Sequence, residues 1–165
     1  MPSPVPMRPV ALVAGLVVVG VILGLFFLEK GVTLQGEILK VRTLPLEGTN
    51  TVMVVDFRFV NPSKKSAFWV RSVEVILEDK NGNPITGTTV AEADARRLFQ
   101  YYPILGQKFN DSLILRDKIP PGSTADRMIA ASFDLSEADM QARKNLTLRI
   151  TDVDGPVAEI HEKAK

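Results

Sequence analysis

The chain has 165 residues, 45% of them hydrophobic, and its 20 lysines and arginines nearly balance 19 aspartates and glutamates for a formal charge of +1. Setting aside the first thirty residues removes Arg8, Glu29 and Lys30 and leaves a neutral remainder long enough for one domain; phosphate binding needs clustered basic side chains, so this neutrality argues against a nucleic-acid partner. There is no cysteine, which excludes disulfides, thiolate metal sites and a cysteine-linked lipid anchor.

Residues 1–9 read as a short, proline-rich cytoplasmic tail. From Val10 to Leu28 there is no charged and no strongly polar side chain. As a helix this run reaches about 28 Å, close to a hydrocarbon core of about 30 Å. One transmembrane helix is therefore expected over 10–28, with the lipid bilayer as its partner. Arg8 ahead of it favours a cytoplasmic N-terminus, although Lys30, Lys40 and Arg42 follow on the other side. The expected placement is a single-pass membrane protein whose domain, 29–165, is periplasmic or otherwise extracytoplasmic. A cleaved signal peptide is the rival reading; it calls for a shorter apolar region and a small-x-small site. Here Leu28 is followed by Glu29-Lys30-Gly31, and an uncleaved signal anchor is expected. Gly20 and Gly24 form a small-xxx-small pair that lets a second helix approach closely; glycines common to membrane helices give the same spacing.

Beyond the anchor the pattern is β. Val32 to Leu44 reads as a first strand. Glu47-Gly48-Thr49-Asn50 is a turn. Thr51 to Val60 alternates Met53, Val55, Phe57 and Phe59 against Asp56 and Arg58, one apolar and one wet face. Asn61-Pro62-Ser63 stops it, since proline cannot donate to a ladder. Phe68 to Glu78 places Trp69, Val73, Val75 and Leu77 on one face. Asp79 to Pro84 contains Asn-Gly, which accepts a tight hairpin turn, and Ile85 to Val90 is the return strand. Ala91 to Tyr102 breaks the pattern: Glu92 and Asp94 precede Arg96 and Arg97, as suits a short helix and its dipole, and Pro103 ends it. Leu113 to Leu115 is a short strand, and Ile119 to Ser123 a loop. Arg127 to Leu135 alternates again. Ser136 to Asp139 resembles a capping box for one helical turn. Leu146 to Ile150 is the last clear strand, and Val157 to Ile160 adds a short edge. The expected class is all-β: an antiparallel β-sandwich of about seven strands with a short helical insertion, each sheet having one wet face.

The run Val54-Val55-Asp56-Phe57-Arg58-Phe59-Val60-Asn61-Pro62-Ser63 resembles the water-stress and hypersensitive-response domain of the late-embryogenesis-abundant superfamily. Val73 to Leu77 with Asn81-Gly82 and Ile85-Thr86-Gly87 fits that pattern, as does Ile119-Pro120-Pro121-Gly122-Ser123 ahead of the strand ending at Leu135. The match spans roughly residues 33–152. It implies a small immunoglobulin-like sandwich without enzymatic activity, of a kind found in stress proteins and in membrane-tethered bacterial proteins. The stretch from Ala91 to Asn110 is longer than that pattern provides, and it hints at a specific contact.

No catalytic residue, metal site or cofactor is expected. His161 is the only histidine, too few for a histidine-based triad or metal cluster. Asp79 to Asn83 and Asp152 to Gly155 look like calcium loops, but glycine at the sixth position and glutamate at the twelfth are missing from both; turn chemistry accounts for them. Asn110-Asp111-Ser112 and Asn145-Leu146-Thr147 match the glycosylation sequon, which arises often by chance. Arg96, Arg97, Phe99, Tyr101 and Tyr102 are of types enriched where proteins bind one another, and they form the candidate partner-binding surface. The alternatives are that Leu98, Phe99 and Tyr102 cap one end of the sandwich, or that the cluster meets lipid head groups. Together these features describe a non-catalytic, membrane-anchored accessory or structural subunit docked on other membrane protein subunits, for example in a respiratory or photosynthetic assembly. A desiccation- or osmotic-stress protein and a small-molecule-binding domain, with a cavity among Phe57, Phe59, Trp69 and Phe133, are the competing expectations.

Overall fold

Thr51–Val60, the strand that the alternation marks most clearly, sits in the middle of the domain. The computed structural model describes residues 33–163, and the expected membrane helix, Gly20 and Gly24 lie outside the described residues. Among the described residues no helix is long and apolar enough to cross a membrane. The strands are β1 (Gln35–Pro45), β2 (Thr51–Val60), β3 (Phe68–Glu78), β4 (Pro84–Thr86), β5 (Thr88–Thr89), β6 (Lys118–Ile119), β7 (Thr124–Phe133), β8 (Asn145–Asp152) and β9 (Val157–His161). Among the described residues two helices interrupt them, α1 (Glu92–Tyr101) and α2 (Glu137–Gln141), and a single 3-10 turn, Pro103–Leu105, follows α1. One sheet runs β1-β2-β7-β5 and the other β4-β3-β8-β9, with β6 added to the start of β3. Neighbouring strands pair antiparallel throughout.

The two sheets close on one core. Met53, Val55, Phe57 and Phe59 point into it from β2, and Val73, Val75 and Leu77 meet them from β3, with Leu146, Leu148 and Ile150 from β8. All are buried. The space that Phe57, Phe59 and Phe133 were expected to line is filled by these side chains, and Trp69 is not among them. Trp69 is 41% exposed, while its neighbours Phe68 and Val70 are buried. The pairing of β3 with β8 slips between Val70 and Ser72. A bulge there shifts the two-residue period by one, so strict alternation carried back from Val73 assigns Trp69 to the wrong face.

Three further expectations are corrected. Ile85 to Val90 is not one return strand. β4 pairs with β3, β5 pairs with β7 in the opposite sheet, and the chain crosses between sheets at Gly87. A Cβ on Gly87 would lie 2.5 Å from the Phe133 ring, so a larger residue cannot make this crossing without moving the core. Leu113 to Leu115 forms no strand; a single parallel bridge joins Ser112 to Met128. The loop expected at Ile119 begins with the two-residue strand β6.

Local signals hold where short-range chemistry decides. Gly82 takes φ +90° in the Asp79–Pro84 hairpin. The Ser136 hydroxyl accepts a hydrogen bond from the Asp139 amide at 3.1 Å and opens α2 as the capping pattern requires. Asp79 Oδ1 accepts from the backbone amides of Asn81 and Asn83 at 2.7 and 2.8 Å, and its Oδ2 accepts from the Asn83 side chain at 3.0 Å. The loop is an Asx turn.

Two tests follow from this register. Phe68→Ala leaves a cavity in the core and is expected to cost about 3–5 kcal/mol, whereas Trp69→Ala, at a half-exposed ring, is expected to cost no more than about 1–2 kcal/mol; chemical denaturation of both variants reads the phase of the bulge directly. Bonds from Asn83, with the amides of Asn81 and Gly82, hold the Asp79 carboxyl at about 2, below the ordinary 3.8. The folded value is the lower one, so the contribution of ionised Asp79 is complete above the unfolded value and disappears as pH falls through the folded value. An NMR titration of the Asp79 carboxyl carbon should give a midpoint near 2, and Asp79→Asn should flatten the acid dependence of stability in that window.

Candidate functional site

The insertion between β5 and β7 carries most of what is unusual in this sandwich. It lies on the outer face of the β1-β2-β7-β5 sheet, the face that alternation assigns to water. Ala95 and Leu105 are buried there against Leu44, Val52, Val54, Met128 and Ala130, with Leu98 and Phe99 packed alongside. Ala95, Leu98 and Phe99 follow the helical three-and-four spacing, so one stripe of α1 faces the sheet. Glu92 and Asp94 stand in its first turn as the dipole reading expects, but its last turn carries no base.

A buried ion pair fixes the insertion in place. Arg42 on β1 and Asp56 on β2 are 9% and 2% exposed. Arg42 Nη2 donates to Asp56 Oδ2 at 2.5 Å, and Nη1 donates to the carbonyls of Leu105 and Gln107 at 2.7 and 2.8 Å. The guanidinium lies over the Phe99 ring at 4.9 Å and over the Phe109 ring at 5.7 Å. Asn110 Nδ2 donates to the other Asp56 oxygen at 2.8 Å. One arginine thus holds a helix end, a 3-10 turn and the following loop against two strands. Its planar fork, with rings to stack on, suits this task in a way a lysine ammonium does not.

This geometry sorts the expected partner-binding residues. Phe99 is turned inward as a face of the arginine clamp and is not offered to a partner. Arg96 and Arg97 are exposed, but each lies beside an acid of its own helix, Glu92 at 3.4 Å and Asp94 at 3.3 Å. Tyr101 and Tyr102 are exposed, by 76% and 39%, and Ile104, which sequence reasoning left out, is exposed by 77%. Its position inside the turn after Pro103 was the available signal. Phe109 is also open on its outer side.

A cleft of about 570 Å³ opens where the insertion leaves and rejoins the sandwich. Val73, Val90, Leu113, Ile114, Leu115 and Ile129 give it an apolar lining. Glu92 also lines it; burial opposes ionisation of that carboxyl, and Ser112, Lys108 and Arg96 outweigh burial and hold its pKa below the usual value. Lys108 Nζ lies 3.4 Å from Glu92 and 3.3 Å from Asp111.

The remaining candidates, Asn110 aside, lie apart from the insertion. His161 ends the edge strand β9, its Nδ1 3.0 Å from the Thr147 hydroxyl. Among the described residues no group of three His, Asp or Glu side chains is placed to hold a metal ion. Asp152 is buried and accepts from the backbone amides of Trp69 and Asp154. The Asn110 amide of the first sequon is engaged by Asp56.

The class defined by this geometry is an antiparallel β-sandwich with a clamped helical insertion. No family model matches the chain, and a search of curated proteins gives no match. Among solved structures, the chain is similar to an uncharacterized β-sandwich protein from Clostridium difficile 630, at 11% identity and TM-score 0.43 over 79% of this chain and 86% of that one. It is also similar to a Northeast Structural Genomics Consortium target solved by X-ray, at 13% identity and TM-score 0.32 over 82% of this chain and 83% of that one. The strand pairing described above, and not these distant likenesses, defines the sandwich.

Removing one partner of the clamp leaves the other charge buried and uncompensated. Asp56→Ala and Arg42→Ala are each expected to cost about 3–5 kcal/mol. Arg42→Lys should recover less than half of that loss. Denaturation midpoints check this, and amide exchange should speed up first across residues 92–110.

Proposed function

We propose that the chain is a single-pass membrane protein whose exported sandwich serves as a non-catalytic accessory subunit, docked on a larger membrane protein complex through the tip of its insertion. The reading rests on one observation. Tyr101, Tyr102 and Ile104 are exposed side by side in sequence, on a segment whose backbone carbonyls at Leu105 and Gln107 are tied to a buried arginine. Aromatic anchors on a preorganised support lose little conformational freedom on binding. The apolar run 10–28 supplies the anchor.

The finer fold assignment belongs to the same proposal. The order β1-β2-β7-β5 opposite β3-β8-β9 follows that of a constant-type immunoglobulin sandwich, with β4 as one further edge strand beside β3, in keeping with the resemblance to the water-stress domain. A stress-protection role gives the clamped insertion no task. A small-molecule role has the apolar cleft in its favour, at a different place from the cavity expected among the core aromatics.

In mild detergent the intact protein should co-purify with a fixed set of membrane subunits. The double variant Tyr101→Ala, Ile104→Asp should lower that recovery at least about tenfold, as loss of hot-spot anchors does. Arg96→Ala and Arg97→Ala should each change it by less than about fivefold, since exposed pairs contribute little. Recovery of the native chain only as a free monomer would overturn the reading.

A further inference from the structure

A second surface, separate from the insertion tip, gathers at the end of the sandwich where the described chain begins. Gln35 pairs with Val60, and Val60 with Thr124. Asn61 then ties the 61–67 loop to this end: its amide donates to the Ser123 carbonyl at 2.9 Å and its side chain to the Ile119 carbonyl at 3.1 Å. Trp69 pairs with Lys118 across β3 and β6, and the Lys118 ammonium lies 5.2 Å from the centre of the Trp69 ring. Arg116 donates its amide to the Val70 carbonyl, and Val153 donates to the Trp69 carbonyl. These backbone bonds hold the loop, the Ile114–Asp117 turn and the Asp152–Gly155 turn around Trp69.

The charges at this end are unbalanced. Lys64, Lys65, Arg71, Arg116 and Lys118 are all exposed, and none of them makes an ion pair with a described residue. The acids nearby are largely engaged. Asp152 is buried and bonded to two backbone amides, and Asp117 accepts from the Ile114 amide, which leaves Asp154 exposed. Trp69, Ile114, Leu115 and Val153 stand exposed among the five cations. The domain as a whole is neutral, so this is a local excess.

We infer that this end of the sandwich lies on an anionic lipid surface, with Trp69 at the level of the head groups and the five cations against phosphates. Charge complementarity supports that occupant, and so does the tryptophan, whose amphipathic ring prefers the membrane interface. Chain length supports it too. Resting on the anchor reading given above, the apolar run ends at Leu28, and seven Cα steps to Gln35 span at most about 25 Å. The end that carries Gln35 is therefore held within a short reach of the bilayer, where exposed cations would meet the anionic head groups of the leaflet on the domain's side.

Trp69 is the only tryptophan, so its emission reports this surface alone. The full chain is reconstituted in phosphatidylcholine nanodiscs with and without about 30% phosphatidylglycerol, each carrying a head-group spin-labelled lipid as quencher. Quenching of Trp69 should be about twofold stronger with the anionic lipid and should return to the neutral level in about 0.5 M NaCl. The variant K64E/K65E/R116E/K118E should behave in anionic discs as the native chain does in neutral ones, with an unchanged circular dichroism spectrum. Quenching that is equal in both lipids, or insensitive to salt, would overturn the inference; an acidic protein partner would give that result. Retention in neutral discs after a salt wash reads the anchor separately. A chain that is not retained there, yet shows salt-sensitive Trp69 quenching on anionic vesicles, overturns the anchor and keeps the lipid contact. A retained chain with indifferent Trp69 does the reverse.

Discussion

Asp56 points out of the sandwich from the middle of β2 and is nonetheless 2% exposed, so the outer face of the sheet has to be built around a charge. Arg42 answers it from the adjoining strand, and the pair then needs cover, because two charges taken out of water are tolerated only with further bonds to their free donors and lone pairs. The insertion supplies that cover. Leu105 and Gln107 offer carbonyls, Asn110 offers an amide, and Phe99 and Phe109 close over the guanidinium. Arg42 Nε is buried without a partner, which marks how fully the group is enclosed. In return the insertion buries Val52, Val54, Met128 and Ala130. Polar and apolar contacts thus cooperate: neither the pair without its cover nor the apolar outer face without the pair would be a stable arrangement.

The sequence was most legible where a few neighbouring residues decide the outcome. β2 runs over Thr51–Val60 as its alternation predicts, the Asn-Gly hairpin forms, and Ser136 caps α2. α1 lies within the stretch that acid-before-base order and Pro103 delimit. The misreadings share another cause. Asp56 reads as a wet face because a polar residue on an alternating strand meets water unless something distant covers it, and Arg42 is fourteen residues away. Trp69 reads as core because a bulge is invisible to a fixed period. Ile85 to Val90 reads as one strand because a crossing between sheets depends on Phe133, brought against Gly87 by the fold. The same limit applied to the candidate site. Residue types located the insertion, but only packing separated Phe99, which faces inward, from Tyr101 and Ile104, which face out.

These inside and outside assignments bear on how the domain would meet a partner. A projecting aromatic segment on a loose loop pays an ordering cost when it binds. Here that cost is reduced beforehand, because Ala95, Leu105 and the arginine clamp fix the backbone on both sides of Tyr101–Ile104. The helix's own ion pairs act locally. Arg96 and Arg97 have acids of α1 beside them, so the tip presents apolar surface without strong net charge.

The opposite balance holds around Trp69, where cations without an ion pair among the described residues surround the exposed apolar groups. A surface of that kind is drawn by charge and steered over a distance set by salt, whereas the insertion tip gains mainly from excluding water at contact. The two surfaces therefore suit different tasks. Confinement near a bilayer raises the local concentration of any partner held in the same membrane, and a domain also oriented by one charged end would present its rigid tip in a restricted range of directions. An apolar patch as small as Tyr101, Tyr102 and Ile104 is a weak docking site for a freely tumbling protein, and orientation at the bilayer is what would make so small a contact sufficient.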